Sequence, residues 1–376
     1  MALAVDIEKR LGAFRLAVRF TTDRALLALL GASGSGKSVT LRCIAGLLRP
    51  DRGRIVLNGR VLFDSEAGID LPPQARRVGY LFQSDTLFPH RTVLENVMLG
   101  FHARPRAQRR ALAEAQLARF RIAHLAHSLP AALSGGERQR AALARTLAAE
   151  PEALLLDEPF SALDEYLKWQ LELELAQTLD QYGGDAILVT HSREEVCRLA
   201  KSVCVLDRGR SEPLRDTAAL MTAPGTLAAA RLSGCQNLSP VTCLPDGRLR
   251  CEDWGWILPA VPVPRGLTHV GIRASGLRPG PGRISLSCTV ERVIPNLFSG
   301  IVILNTPGAK RLRMELPPGT EPPRPASPHR EEAAADEGDR RDADAAAWAA
   351  IPAAGTALTV HAAPEDLLLL TGGDAP

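Results

Sequence analysis

The stretch GASGSGKS, residues 31–38, constrains the fold of this chain more than any other feature of its sequence. It follows the apolar run ALLALL, residues 25–30, which predicts a buried strand. It opens GKSVTLRCIAGLL, in which Val39, Ile44 and Leu47 recur at helical spacing. Glycines between a strand and a helix let the backbone wrap around phosphate groups at the helix N-terminus. The sequence therefore predicts an α/β fold built around a phosphate-binding loop.

The side chains of this loop suit phosphate and magnesium chemistry. In the pattern GxxxxGK[ST], Lys37 is expected to bind the β- and γ-phosphates of a nucleotide, and Ser38 is expected to bind Mg²⁺. The backbone of the whole loop is expected to surround the same phosphates. The other expected nucleotide-binding residues are Gly31, Ala32, Ser33, Gly34, Ser35 and Gly36.

Two further strand ends carry side chains that nucleotide hydrolysis requires. ALLLDEP, residues 153–159, places Asp157 and Glu158 at the end of a buried strand. One carboxylate can hold the Mg²⁺ water shell, and the other can orient or polarise the attacking water. ILVTHS ends a second strand at His191, where ligands of a parallel sheet gather. Each feature alone also fits a solvated turn or a surface histidine, but together with the loop they favour nucleotide hydrolysis.

A second loop in the chain also suits an anion. In LSGGERQR, residues 133–140, Ser134 is followed by Gly135 and Gly136 and then by strong helix formers. A helix N-terminus offers unpaired N–H groups and the positive end of the helix dipole. The chain therefore has two candidate anion-binding loops, which calls for an explanation.

Patterning divides the chain into two predicted domains. Up to about residue 230, apolar strand patterns alternate with helical ones, which predicts a mostly parallel sheet flanked by helices. Asn58 and Gly59, between two β-type runs, predict a hairpin. Beyond that point, short β-type runs between Pro and Gly predict a small β-barrel or sandwich. We therefore expect domains at 1–230 and 231–376. The seven cysteines form no CxxC pair, so we expect reduced thiols rather than a metal or redox site.

The segment near residues 320–348 is rich in Pro, Ala and charged residues and poor in branched apolar ones, which predicts a disordered insertion in a loop. Deleting 321–347 is expected to leave the chain folded, with a melting temperature within about 2 °C of the parent, because such a segment buries little apolar surface. Thermal melting followed by circular dichroism measures this. A large drop in melting temperature would show that the segment belongs to a core.

Charge and hydropathy limit the possible partners. The formal net charge of +3 is nearly balanced for 376 residues, so no nucleic-acid partner is expected. The N-terminus MALAVDIEKRLG mixes acids and bases and predicts no signal peptide. Apolar runs fall far short of the roughly 20 residues that span a bilayer. We expect a protein in the cytosol that reaches a membrane only through a partner.

These motifs resemble the ATPase subunits of ABC transporters over about residues 1–230. The resemblance implies that the cofactors are ATP and Mg²⁺, that Asp157 is the acid that supports Mg²⁺ and that Glu158 is the catalytic base. It also implies that His191 is the switch histidine. Gln83, from FQ, is implied to contact Mg²⁺ or water and to sense the membrane partner. SALD, residues 161–164, resembles the D-loop and adds Asp164 to the nucleotide site.

The resemblance also accounts for the two anion-binding loops. In this family two subunits face each other head to tail, and the signature loop caps the γ-phosphate held by the partner's phosphate loop. Ser134, Gly135 and Gly136 are thus implied to serve the other chain of a two-fold homodimer with two shared ATP sites. The family stacks adenine on an aromatic side chain upstream of the phosphate loop, and Phe14 is the nearest candidate.

GRIVLNGRVLFDSEAGIDLPPQARRVGYLFQSDTLFPH resembles the ATP-binding subunits of bacterial molybdate importers. The implied partners are two copies of an integral-membrane permease and a periplasmic or extracellular substrate-binding protein, which place this chain at the cytoplasmic face of the membrane. The C-terminal runs, above all LSCTVERVI, resemble the OB-like TOBE/Mop-type accessory domain. PGRI retains Arg283 of that domain's Ser-x-Arg-Asn oxyanion-binding stretch but lacks the Ser and the Asn. Import of sulfate, iron or sugar remains an alternative. A soluble DNA- or ribosome-associated ABC protein is the alternative from another class.

Overall fold

The computed structural model describes residues 3–22, 26–82, 87–161, 165–295, 299–316 and 353–372. Gln83, Asp164 and the predicted insertion near 320–348 lie outside these ranges. The chain divides into two compact units, Met1–Leu220 and Met221–Pro376.

The first unit alternates strands and helices in the order that its sequence predicts. Its elements are β1 (Leu3–Leu11), β2 (Phe14–Thr21), β3 (Leu26–Leu30), α1 (Lys37–Ala45), β4 (Arg52–Leu57), β5 (Arg60–Asp64), β6 (Ile69–Asp70), α2 (Pro73–Arg76), β7 (Val78–Leu81), α3 (Val93–Gly100), α4 (Arg106–Arg119), α5 (Gly135–Ala148), β8 (Ala153–Asp157), α6 (Glu165–Tyr182), β9 (Asp185–Thr190), α7 (Arg193–Leu199), β10 (Ser202–Asp207), β11 (Arg210–Ser211) and β12 (Arg215–Asp216). Helix α8 (Thr217–Thr222) spans the division between the units.

One mixed sheet runs through the first unit. Its parallel part has the order β10-β3-β9-β8-β7, and its antiparallel part has the order β6-β5-β4-β1-β2. Strand β11 links the two parts, since it pairs with β10 and with β2. The predicted hairpin is confirmed: β4 and β5 meet at Asn58 and Gly59, which both have positive φ.

The helices of the first unit cover opposite faces of the parallel strands. Successive side chains of a strand point to opposite faces, and β8 shows this clearly. Leu154 and Leu156 lie in one hydrophobic core with apolar side chains of α3, α4 and α5. Ala153 and Leu155 lie in a second core with apolar side chains of α1. Helix α1, which follows the phosphate loop, and helix α5, which follows LSGG, therefore lie on opposite sides of the sheet.

The second unit is mostly antiparallel β-structure. Its elements after α8 are α9 (Leu227–Leu232), β13 (Asn237–Cys243), β14 (Leu249–Cys251), β15 (Trp256–Leu258), β16 (Leu267–Ile272), β17 (Leu277–Pro279), β18 (Ile284–Pro295), β19 (Gly300–Asn305), β20 (Leu312–Leu316), β21 (Ala357–Ala362) and β22 (Leu367–Thr371).

Two five-stranded sheets enclose the core of the second unit. Their orders are β15-β14-β13-β16-β22 and β17-β21-β18-β19-β20. Strands of both sheets contribute to one hydrophobic core that contains Trp254 and Trp256, with ring centroids 6.5 Å apart. The predicted fold class, an α/β phosphate-loop domain followed by a small OB-like β-domain, is confirmed.

Helix α9 packs on a sheet of the second unit. Ala230 packs with Cys235 and with Leu370 of β22, and Thr226 bridges to Thr371. The helix is six residues long, and its Ala229 and Ala230 are buried. Among the helices in the described ranges, none is both long and apolar enough to cross a bilayer.

Candidate nucleotide-binding site

The phosphate loop is shaped by glycines that cannot be replaced without displacing its neighbours. A Cβ on Gly31 would lie 2.5 Å from the Leu206 carbonyl oxygen and 2.5 Å from Ser35 Oγ. Gly36 caps the N-terminus of α1 with φ 106°, and its Cβ would lie 2.6 Å from Leu16 Cδ1. The close contacts at both positions, and the left-handed backbone at Gly36, require glycine. The exposed tip of the loop, 32–34, therefore stands on a tightly packed base.

Lys37 lies folded over the loop that it belongs to. Its Nζ donates hydrogen bonds to the carbonyl oxygens of Gly31 at 2.8 Å and Ala32 at 3.0 Å. Burial lowers the pKa of the Lys37 ammonium group, while Glu158 and Asp157 act in the opposite direction. The ammonium group is thus placed among the loop's backbone groups, where a bound phosphate would meet it.

Ser38 and Asp157 are 119 residues apart in the sequence and are in contact in the structure. Ser38 Oγ donates a 2.8 Å hydrogen bond to Asp157 Oδ1, which joins the start of α1 to the end of β8. The Asp157 side chain is buried, and its other oxygen accepts a 2.8 Å hydrogen bond from the Tyr80 hydroxyl group. Burial raises the pKa of Tyr80, and the neighbouring Asp157 carboxylate adds to the shift.

Sequence reasoning missed Tyr80. It lies in β7, and the parallel pairing of β7 with β8 brings it beside the acid at the end of β8. A tyrosine in a predicted strand is normally read as packing, so the only available signal was its position near the strand's carboxyl end. In the fold it fixes the orientation of the Asp157 carboxylate.

Replacing Tyr80 by phenylalanine is expected to weaken Mg²⁺-dependent ATP binding by about tenfold to a hundredfold, because a hydrogen-bond partner of the proposed metal-binding carboxylate is lost. The ring and its packing stay the same. Calorimetric titration with ATP, with and without Mg²⁺, measures the effect. An equal loss of affinity in the absence of Mg²⁺ would contradict a role through Asp157.

Glu158 has a backbone conformation that residues other than glycine rarely adopt. Its φ is 46°, in the left-handed region, and its N–H donates a 3.0 Å hydrogen bond to the Val189 carbonyl oxygen of β9. Ser161 donates to the Glu158 carbonyl oxygen through both its N–H and its hydroxyl group. A strained conformation held by hydrogen bonds on both sides is characteristic of functional sites.

His191 faces Glu158 across the sheet edge. Its Nδ1 lies 3.6 Å from Glu158 Oε2, and the imidazole is 64% exposed. The next residue, Ser192, caps α7 by accepting a hydrogen bond from the Glu195 N–H, and its own N–H donates to Thr190 Oγ1. The strand-to-helix turn thus holds His191 beside Glu158 and leaves its ring open to a ligand.

The second anion-binding loop forms a well-defined helix start. Ser134 is the N-cap of α5, and Glu137 completes a capping box. The Glu137 carboxylate accepts 2.8 Å hydrogen bonds from both the N–H and the hydroxyl group of Ser134, which lower its pKa. Ser134 is exposed, while Gly136 is buried, where a Cβ would touch Leu171 of α6. The loop presents Ser134 to solvent at the N-terminus of the helix.

The structure brings the predicted site residues together in two groups. Residues 31–38, Asp157, Glu158 and His191 meet at the carboxyl ends of β3, β8 and β9. Residues 134–136 lie on the helix that covers the other face of the sheet. Phe14 borders the first group, since its ring would lie 3.0 Å from a Cβ on Gly36. Gln83 and Asp164 lie outside the described residues.

The chain is similar to known ATP-binding subunits of importers. The family model described as ABC transporter matches residues 18–161. The "Molybdenum import ATP-binding protein ModC" of Paramagnetospirillum magneticum is 43% identical over 223 residues, which are 59% of this chain and 61% of that relative. The protein of the same name from Rhodospirillum rubrum is 35% identical over 339 residues, 85% of this chain and 88% of that relative.

Two further similar proteins carry names other than molybdenum import. The "Fe(3+) ions import ATP-binding protein FbpC" of Haemophilus influenzae is 39% identical over 62% of this chain and 67% of that relative. The solved structure of cbiO1 from Clostridium perfringens, part of the ABC transporter complex cbiONQ, has 26% identity and a TM-score of 0.52, and covers 58% of this chain and 90% of that one. The resemblance drawn from the sequence motifs is confirmed, and the chain belongs to the family of ABC transporter ATPases.

Proposed function

We propose that this chain is the ATP-hydrolysing subunit of an ABC importer that takes up molybdate, and that it works as a homodimer. The observation that carries the ATPase assignment is the 2.8 Å hydrogen bond between Ser38 and Asp157, with Glu158 directly after it in the chain. This contact joins the phosphate loop to the two carboxylates that hydrolysis requires.

The residues of the site have distinct tasks in this proposal. Lys37 and the N–H groups of the loop bind the phosphates and offset the negative charge that grows in the transition state. Glu158 accepts a proton from the water that attacks the γ-phosphorus, and the bond to the leaving ADP oxygen breaks as the new bond forms. His191, 3.6 Å from that carboxylate, is placed to contact the γ-phosphate and to orient the water.

The donor set also suits Mg²⁺. The Ser38 hydroxyl group and the Asp157 carboxylate are hard oxygen donors, and Mg²⁺ in nucleotide sites is bound by one or two protein oxygens together with phosphate oxygens. We propose that Ser38 and Asp157 hold the ion, with Gln83 as a further contact. When bound, Mg²⁺ neutralises charge on the β- and γ-phosphates.

The position of the two loops supports the proposed homodimer. Helix α1 and helix α5 pack on opposite faces of the same sheet, and Ser134 at the start of α5 is exposed. Two chains related by a two-fold axis can each present Ser134–Gly136 to the partner's nucleotide. The two loops of one chain would then serve two different ATP sites.

The importer assignment rests on similarity to the molybdenum import relatives, and the iron import relative defines the second candidate. The partners in this proposal are two copies of a membrane permease and an external substrate-binding protein. The chain is then peripheral at the cytoplasmic face of the membrane. Residues 231–376 serve as its TOBE/Mop-like accessory domain.

Deleting the gene is expected to abolish the accumulation of molybdenum from submicromolar molybdate, while uptake of iron and sulfate stays unchanged. Elemental analysis of washed cells measures all three. The wild-type gene is expected to restore uptake, and the Glu158→Gln variant is expected not to restore it. Loss of iron uptake with normal molybdenum would assign the chain to an iron importer instead.

A further inference from the structure

Helices α6 and α7 of the first unit are joined by two ion pairs of opposite polarity. Lys168 Nζ on α6 lies 2.5 Å from Glu195 Oε1 on α7. One turn further along, Glu172 on α6 accepts two hydrogen bonds from the Arg198 guanidinium group on α7, with Nη2 at 3.1 Å from Oε1. The four side chains, named here the α6–α7 charge network, alternate in sign both across and along the helices.

The carboxylates of this network are deeply buried. Glu172 is 1% exposed and Glu195 is 4% exposed. A buried carboxylate without a nearby cation is costly, so each of them holds the facing helix at one distance and one rotation. The first ion pair lies in the first turn of both helices, and the second lies one turn later. The network therefore fixes the register of α6 against α7.

Helix α7 begins directly after a residue of the proposed catalytic pair. Helix α7 starts two residues after His191, and Ser192 between them caps it. Helix α6 starts at Glu165, seven residues after Glu158, whose carbonyl oxygen accepts hydrogen bonds from Ser161. On the α7 side, helix register is thus transmitted through the hydrogen-bonded turn of Thr190 and Ser192 to His191, whose Nδ1 lies 3.6 Å from Glu158 Oε2.

We propose that the α6–α7 charge network positions His191 relative to Glu158 and thereby sets the rate of ATP hydrolysis. The inference rests on the proposed ATPase function. Lys168, Glu172, Glu195 and Arg198 act as positioning residues, which work through His191 and Glu158. Loosening the network should lower kcat and leave the affinity of the phosphate loop for ATP unchanged.

The test compares single and paired neutral substitutions in the full-length chain. Lys168→Met keeps the apolar stem and removes the charge, and Glu195→Gln keeps the shape of the carboxylate. Each is expected to lower kcat about tenfold with the KM for ATP within about twofold. The double variant is expected to lose about tenfold as well, because residues that act as one unit are not additive. Lys168→Arg, which keeps the charge, is expected to retain most of the activity.

Glu174→Gln is the matched control. Glu174 lies on the same helix, but its side chain is directed to Arg121 and Arg140 rather than to α7, at 3.9 and 3.8 Å. Its substitution is expected to leave kcat unchanged. Thermal melting and ATP titration of every variant separate a loss of folding from a loss of rate. If Lys168→Met does not fold, the kcat of the double variant tests the inference instead. The double variant leaves no buried unpaired carboxylate at the position of the Lys168–Glu195 ion pair.

An unaltered kcat in a folded Lys168→Met variant or in the double variant overturns the inference. A double variant whose fall in kcat equals the product of the two single-variant falls also overturns it. An equal fall of kcat in Glu174→Gln also overturns it, because the effect would then be one of general stability. Absence of hydrolysis by the wild-type chain would instead overturn the proposed function, and the inference with it. Hydrolysis that Glu158→Gln abolishes and Lys168→Met leaves intact overturns the inference alone.

Discussion

Replacing Lys37 by alanine is expected to lower the affinity for ATP by a factor between about thirty and several thousand. The range corresponds to the roughly 2–5 kcal/mol that is lost when one partner of a buried charge contact is truncated. The Lys37 ammonium group is already placed by two hydrogen bonds to loop carbonyl oxygens, so it reaches a bound phosphate without a large rearrangement. Calorimetric titration of the full-length chain with ATP measures the loss.

The control for this change is Lys201→Ala, which removes an exposed lysine from the same unit. It is expected to bind ATP as the parent does. Thermal melting without nucleotide shows whether the Lys37 variant remains folded, since the substitution also removes two hydrogen bonds to the loop. A folded Lys37→Ala variant with parental affinity would exclude the phosphate-binding role of this lysine.

Replacing Glu158 by glutamine is expected to slow ATP hydrolysis by about 10²- to 10⁴-fold, which is the range for loss of a general base. Glutamine has nearly the same shape, and the Glu158 N–H keeps its hydrogen bond to Val189, so the unusual backbone conformation is retained. ATP should still bind. If the dimer closes on ATP and reopens after hydrolysis, the closed dimer should accumulate with saturating ATP, as size-exclusion chromatography with light scattering measures.

A second substitution tests whether the two loops of a site come from different chains. Adding Ser134→Arg to Glu158→Gln is expected to prevent ATP-dependent dimerisation and to leave ATP binding by the monomer intact. Loss of the N-cap alone costs only about 1 kcal/mol, and Glu137→Ala, which removes the capping-box carboxylate but keeps Ser134, controls for it. If Ser134→Arg abolishes ATP binding by the monomer, the signature loop serves its own chain.

Local patterns predicted much of the first unit. The glycines of the phosphate loop, the Asn58–Gly59 turn and the apolar runs of β3, β8 and β9 each depend on neighbouring residues only. Strands β1 and β2 received no prediction, although they alternate clearly: Leu3, Val5 and Ile7 are buried on β1. That alternation was available in the sequence and indicates a strand with one buried face.

Other features of the site depend on the order of the strands in the sheet, which local sequence patterns do not predict. Tyr80 meets Asp157 only because β7 lies beside β8 in parallel register. The contact between Lys168 and Glu195 likewise requires α6 and α7 to pack side by side. Charged side chains at these positions would fit solvated helix faces equally well. Long-range contacts of this kind follow from the assembled sheet rather than from any local pattern.

The placement of α1 and α5 on opposite faces of the sheet has a genetic consequence. If each ATP site takes one loop from each chain, a chain with a defective phosphate loop and a chain with a defective signature loop are damaged in complementary ways. A mixed dimer of the two has one site that carries both defects and one site that carries neither. Two inactive alleles expressed in the same cell would then restore part of the transport that neither supports alone.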